Sequence, residues 1–326
     1  VKAFSGCLLA GARAVPVPLP NPRSKNPLGR ILATAGACGA STVLTDQMVA
    51  SMVEPMGTEL PICIKAVTDR AGTDWAGPRA ELNEVAYLQY TSGSTGHPKG
   101  VAVRHANAVS NIRVMGEMLR IKSTKPAMGW APHYHDLCLV GHVLGPVYYG
   151  YESTLMSPME FLLKPVRWLR AMSHYKIANT ACPNFGYEYS VRRIKPEECE
   201  GLDLSHWIIA GNGGEPVLQQ TLEGFTKKFG PYGFRPETFM PCYGMAESVL
   251  FVGGLKSMSQ PPKVLRLSAS DLERHTVRIL ADDEPGGRTF GSCARPGSGQ
   301  RVIAVDPVTL SPSKPNQLGE LGVQGP

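Results

Sequence analysis

Apolar positions along the chain switch repeatedly between helical spacing and short β-branched runs. Leu28, Ile31, Leu32 and Ala35 recur at three- and four-residue steps, stop near Gly36 to Gly39, and give way to Ser41–Thr45, which reads as a strand. A second unit pairs a helix from about His105 to Leu119 with the strand Ala127–Ala131. A third runs from the helix around Val166–Met172 into Ile177–Cys182. In the fourth, His206–Ala210 is a strand and Gly211–Pro216 a turn. Val217, Leu218, Leu222, Phe225 and Phe229 then make one helix face that stops at Gly230, and Thr238–Cys242 returns to the sheet. Strands alternating with helices are the pattern of a mostly parallel sheet with crossover helices, so an α/β fold is expected.

Beyond Gly254 no single period holds. Residues 255–288 carry proline pairs and scattered charges, and from Ser292 the chain becomes Gly/Pro-punctuated strands such as Arg301–Val305. The expected division is an α/β core over 1–254, an inserted irregular segment over 255–288, and the start of a β-rich subdomain over 289–326. The chain opens on Val1, and Leu318–Pro326 reads as a strand cut off at its turn. A piece of a longer polypeptide, incomplete at both ends, is the expectation.

Composition narrows the class. At 326 residues, 43% hydrophobic and 18% charged, the chain can bury a large core and is neither disordered nor fibrous. The net charge of +6 is spread in pairs such as Arg192-Arg193 and Lys227-Lys228, which argues against a nucleic-acid partner. Eight scattered cysteines, with no Cys-x-x-Cys and no zinc-like spacing, suggest thiols in a cytoplasmic protein. Apolar runs break well before the ~18 residues a membrane span needs, so no span is expected.

The chemistry concentrates at Tyr90–Gly100, "YTSGSTGHPKG", behind the apolar run Val85–Leu88. Thr91, Ser92, Ser94 and Thr95 supply hydroxyls, Gly93 and Gly96 expose backbone N–H groups, and Lys99 adds a full charge. These are the donors a polyphosphate needs. The loop is not a Walker motif, because Lys99 follows Pro98 and precedes Gly100.

"YTSGSTGHPKGV" resembles the phosphate-loop signature of the adenylate-forming, AMP-binding enzymes, which include acyl-CoA synthetases, peptide-synthetase adenylation domains and firefly luciferase. "WAPHYHDLCLVG" (130–141), "GNGGEP" (211–216) and "CYGMAES" (242–248) resemble further motifs of that family, in its order. The resemblance implies the family's large N-terminal domain over nearly the whole chain. It places His135 beside the acyl pocket, Gly213, Gly214, Glu215 and Pro216 along adenine, and Tyr243 on the base. Gly244, Met245 and Ala246 would lie at the nucleotide, and Glu247 would hold a magnesium ion. Lys99, His135 and Glu247 are the implied catalytic residues, with ATP and Mg2+ as cofactors. Taken singly, His135 reads rather as a core histidine, and Glu247 has a second reading as a helix-start carboxylate, Tyr243 as core, and "GNGGEP" as half of a dinucleotide fingerprint lacking its third glycine.

The stretches 162–194, 200–207 and 215–225 resemble the fatty acyl-AMP ligase branch, as does the chain length between Glu247 and Val302. The branch implies that 255–288 is the inserted motif that restrains the domain movement coenzyme A chemistry requires. It also implies an acyl chain near Pro183, Asn184, Phe185 and Tyr187, and acyl transfer to the phosphopantetheine thiol of an acyl carrier protein or polyketide synthase module. Many relatives have Thr before the metal-binding Glu, and Ala246 stands there, a substitution common in this branch. The family's ribose-binding Asp and C-terminal catalytic Lys would lie beyond Pro326, so the piece itself is expected to adenylate poorly. Two other readings stay open: a long-chain acyl-CoA synthetase, and a non-catalytic acyl- or nucleotide-binding module.

Overall fold

The computed structural model describes residues 1–20, 24–54, 62–67, 77, 80–91, 99–120, 125–254, 260–293 and 295–325. The chain divides into two compact units, one of residues 1–108 with 132–135 and one of 109–131 with 136–326.

In the first unit, strands β1 (Thr42–Thr45) and β2 (Cys63–Ala66) pair in parallel. Helix Gly29–Cys38 and helix Gln47–Val53 bring Ile31, Val49 and Val53 into a small core with Leu28. The Asp46 carboxylate caps the second helix, accepting from the Val49 N–H at 2.8 Å. Strands β3 (Val85–Thr91) and β4 (Lys99–Arg104) form an antiparallel hairpin whose last paired residues are Thr91 and Lys99. Ala86, Tyr87 and Gln89 of β3 are buried, and this apolar run anchors the hairpin.

The second unit is built on six strands: β5 (Ala127–Gly129), β6 (Ser153–Leu155), β7 (Asn179–Cys182), β8 (Ile209–Asn212), β9 (Phe239–Gly244) and β10 (Phe251–Gly254). Their order is β10-β9-β8-β7-β5-β6, parallel except for the antiparallel β9/β10 pair. Helix Val166–His174 carries the chain from edge strand β6 past β5 to β7, and helices Asn184–Arg193 and Gln219–Phe229 join the parallel neighbours β7/β8 and β8/β9. Trp168, Tyr187, Trp207, Phe225 and Phe239 are all at most 2% exposed and meet mostly edge to face, for example Trp168 and Trp207 at 5.4 Å, with Tyr187 stacked on Trp207. Each such ring contributes on the order of 2–3 kcal/mol by its burial.

The strand expected at 206–210 is displaced to Ile209–Asn212. Trp207 explains the shift: its backbone N–H closes a turn onto Leu204 O, and its indole N–H donates to Ile209 O at 2.8 Å, so 207 is an anchor beneath the strand. Gly211 and Asn212 therefore belong to the strand rather than to the turn that follows it.

Segment 255–288, expected to be irregular, contains regular structure. Strand β11 (Val264–Ser268) leads into helix Ala269–Glu273 and pairs antiparallel with β12 (Gly287–Gly291). Four of the five β11 residues are only half-buried, so neither face is apolar enough to give the sequence a period. Strands β13 (Arg301–Val305) and β14 (Glu320–Gln324) pair antiparallel. Among the described residues, no helix is long and apolar enough to cross a membrane.

Candidate active site

In the first unit the candidate groups sit on the β3/β4 hairpin and one attached turn. Thr91 ends β3 and Lys99 starts β4, directly opposite each other, with the Lys99 side chain exposed. Ser92, Gly93, Ser94, Thr95 and Gly96 lie outside the described residues. The turn holding His135 is tied to the same hairpin. Buried Gln89 donates from Nε2 to the Tyr134 carbonyl at 2.6 Å, and the His135 N–H closes the turn on Pro132 O at 3.0 Å. His135 is exposed on this turn, next to the residue that β3 grips.

In the second unit, β8 and β9 run parallel and release their C-terminal ends side by side, the place where open parallel sheets bind ligands. After β8, Gly213 is buried against β9: a Cβ there would stand 2.5 Å from the Cys242 carbonyl oxygen. The two loops can approach this closely only with glycine at 213. Gly214, Glu215 and Pro216 follow as an exposed corner. Glu215 is already engaged, since Oε1 accepts the Phe185 N–H at 2.5 Å and places a carboxylate on the N-terminal turn of helix Asn184–Arg193.

At the end of β9, Tyr243 is 37% exposed, and its hydroxyl reaches Met245 Sδ at 3.9 Å. Glu247 lies in the 3-10 turn Ala246–Ser248 with Ala246 buried beneath it. Its exposed carboxylate makes no hydrogen bond or ion pair with another described residue. Among the described residues no three His, Cys, Asp or Glu side chains gather as a metal site. One free carboxylate suits a magnesium ion that draws its remaining oxygens from phosphates and water, so Glu247 fits that group.

The residues expected on the acyl chain divide. Pro183 precedes helix Asn184–Arg193 and Phe185 is 41% exposed on it, edge-on to Trp130 at 5.8 Å. Asn184 and Tyr187 are instead buried and bonded within the protein. The Tyr187 ring is fully buried among Trp168, Phe225 and Phe239, and its hydroxyl donates to Gly211 O at 2.8 Å. Asn184 is 3% exposed; its Oδ1 accepts from Asn212 Nδ2 and from the Leu218 N–H, and its Nδ2 donates to Thr221 Oγ1. Reading the sequence alone missed Asn212 and Asn184 as the polar staple that fixes the loop after β8. Two asparagines 28 positions apart leave no local pattern.

A match to the family model described as AMP-binding enzyme spans residues 1–326. The chain belongs to the AMP-binding enzyme family. Among relatives of this AMP-binding chain is the medium-chain-fatty-acid–[acyl-carrier-protein] ligase JamA of Moorena producens, 38% identical, with 100% of this chain and 57% of JamA covered. The long-chain-fatty-acid–AMP ligase FadD32 of Mycolicibacterium smegmatis is 32% identical, with 99% and 53% covered. The fatty acyl-adenylate ligase of Legionella pneumophila, solved with acyl adenylate and pyrophosphate, superposes with a TM-score of 0.92 at 38% identity, covering 99% of this chain and 56% of that one. The α/β adenylate-forming fold therefore extends over the whole chain. The chain spans about half the length of the curated relatives it matches.

Proposed function

We propose that the protein carrying this chain adenylates a fatty acid with ATP and Mg2+, and then passes the acyl group to the phosphopantetheine thiol of an acyl carrier protein. The likeness along the whole chain to a Legionella ligase solved with acyl adenylate and pyrophosphate carries this reading. The carrier acceptor is supported by the name of JamA. A polyketide synthase module is one setting for such a carrier. The cytoplasm is the proposed compartment, where all eight cysteines, unpaired in the structure, stay reduced.

In the reaction a carboxylate oxygen bonds to the α-phosphorus of ATP, the bond from that phosphorus to the bridging oxygen breaks, and pyrophosphate leaves. Two anions must meet, so the residues' task is positioning and neutralisation. Thr91 and the hydroxyl loop that follows it donate hydrogen bonds to phosphate oxygens, and Lys99 offsets charge building on the departing pyrophosphate. Tyr243 stacks on adenine while the Gly213–Pro216 corner borders it. His135 lies at the acyl carboxyl, and Pro183 and Phe185 face the chain. Magnesium, when bound, neutralises phosphate charge, and Glu247 would hold it.

Segment 255–288 is proposed as the insertion that disfavours free coenzyme A as acceptor. Its ion-pair network supports a rigid element: Arg274 and Arg278 both bind the Asp271 carboxylate at 2.7 Å, and Arg278 reaches Glu284 at 2.6 Å. The test is ATP–pyrophosphate exchange by the full-length protein, dependent on fatty acid. Exchange without fatty acid dependence, or none at all, would refute the proposal. Thioester formation on free coenzyme A would instead make it an acyl-CoA synthetase.

A further inference from the structure

Directly behind Glu247 the backbone adopts a conformation that its sequence resists. Val249 has φ 69° and ψ −59°, the centre of a tight γ-turn closed by the Leu250 N–H on Ser248 O at 2.9 Å. A buried, β-branched residue at positive φ is strained. The turn ends the short 3-10 segment that carries Glu247, whose own bonds run Ser248 N–H to Met245 O and Val249 N–H to Ala246 O. Met245 N–H also donates to Leu250 O, and Gly244 leaves room because a Cβ there would collide with that carbonyl. Every step from Glu247 into β10 thus passes through the strained residue.

One side chain grips the turn on both flanks. Asn111, 6% exposed on helix His105–Leu119, donates from Nδ2 to Ser248 O at 3.0 Å and to Phe251 O at 2.8 Å, while its Oδ1 accepts the Phe251 N–H at 2.9 Å. Its neighbours Ile112, Val114 and Met115 are buried apolar residues, so an amide at this position is costly unless fully bonded. Only an amide offers donor and acceptor together: aspartate would lose both contacts to carbonyls, and leucine all three. Strain at a turn persists only where the surroundings over-determine it, and Asn111 is the side chain that does so.

We infer that Asn111 is a positioning residue for metal-nucleotide binding: it holds the strained Val249 turn and thereby fixes the direction of the Glu247 carboxylate. This rests on the reading that Glu247 holds the divalent ion of ATP. The test uses the full-length protein with Mn2+ and ATP as probe, free Mn2+ being followed by electron paramagnetic resonance, alongside thermal melting of each variant. Glu247→Gln should lose Mn2+-ATP affinity, and if it does not, the functional reading itself fails. Asn111→Asp should weaken Mn2+-ATP by about tenfold, as loss of groups supporting a ligand does. Adding Val249→Gly should restore affinity to within about threefold, because glycine takes positive φ without a clamp.

A folded Asn111→Asp protein with wild-type affinity would overturn the inference while leaving Glu247 in its role. A double variant no better than Asn111→Asp would do the same. Should Asn111→Asp fail to fold, the double variant decides. Folded with near wild-type affinity, it supports the clamp; unfolded or non-binding, it reduces Asn111 to general packing and overturns the inference.

Discussion

Single side chains divide into those proposed to meet substrate and those that hold them in place, and the two kinds make different predictions. Glu247→Gln should lower pyrophosphate exchange by about 10²-fold or more with little loss of stability, since the carboxylate is exposed and unpartnered within the described residues. An unchanged rate would remove Glu247 from the chemistry. His142 makes the opposite case. It sits in the π-helical turn Leu139–Leu144, 5% exposed, with Nδ1 lacking a hydrogen-bond partner among the described residues. Burial pushes its imidazole from 6.5 down to about 4, against the pull of a hydrogen bond with the Ala181 backbone. The folded ring therefore refuses a proton that the unfolded chain accepts. Its contribution to stability is complete above pH 6.5 and is lost as pH falls from there toward 4, on the order of 3 kcal/mol across that window. Urea unfolding of His142→Phe should show a shallower decline between pH 7 and 5 than wild type, and parallel curves would contradict this. Residues proposed for the site from a contiguous motif, such as Lys99, Tyr243 and Glu247, could be singled out in the sequence. Asn111, Asn184 and Asn212 were not, because their partners lie 28 to 140 positions away and an isolated asparagine has no periodicity to stand out from.

Whole elements were legible where apolar residues recur at helical spacing or run together. Helix His105–Leu119 and strand Arg301–Val305 lie where their spacing predicts. The strand at 209–212 was misplaced by three residues, because Trp207 and Ile208 look like strand while Trp207 serves as a buried anchor. Hairpin β11/β12 was missed because its strands carry no apolar face, and ion pairs gather in the segment between them. The Arg278 guanidinium, with help from Ser268 and Arg274, holds the Asp271 carboxyl well below the usual carboxylate range, so the network outlasts ordinary carboxylates as pH falls. Asp271→Asn should speed amide hydrogen exchange over residues 264–291 without changing exchange in β7 or β8, and unchanged exchange over 264–291 would show that the pairs contribute nothing there. The loop after β8 responds to packing instead. Gly213→Ala forces a methyl toward the Cys242 carbonyl and should destabilise by about 1–3 kcal/mol in chemical denaturation. A neutral effect would mean the two strand ends have slack.

For the molecule as a whole, fold and family membership were legible in the order of four motifs, because the α/β alternation and the hydroxyl loop are properties of neighbouring residues. The central claim is that the protein makes an acyl-adenylate and hands the acyl group to a carrier. It is tested most directly by mass spectrometry of the full-length protein's products, with ATP, Mg2+, a fatty acid, coenzyme A and a phosphopantetheinylated carrier supplied together. The account predicts acyl-AMP early and acylated carrier later, with little acyl-coenzyme A. Acyl-coenzyme A as the main product, or no adenylate at any time, would contradict it.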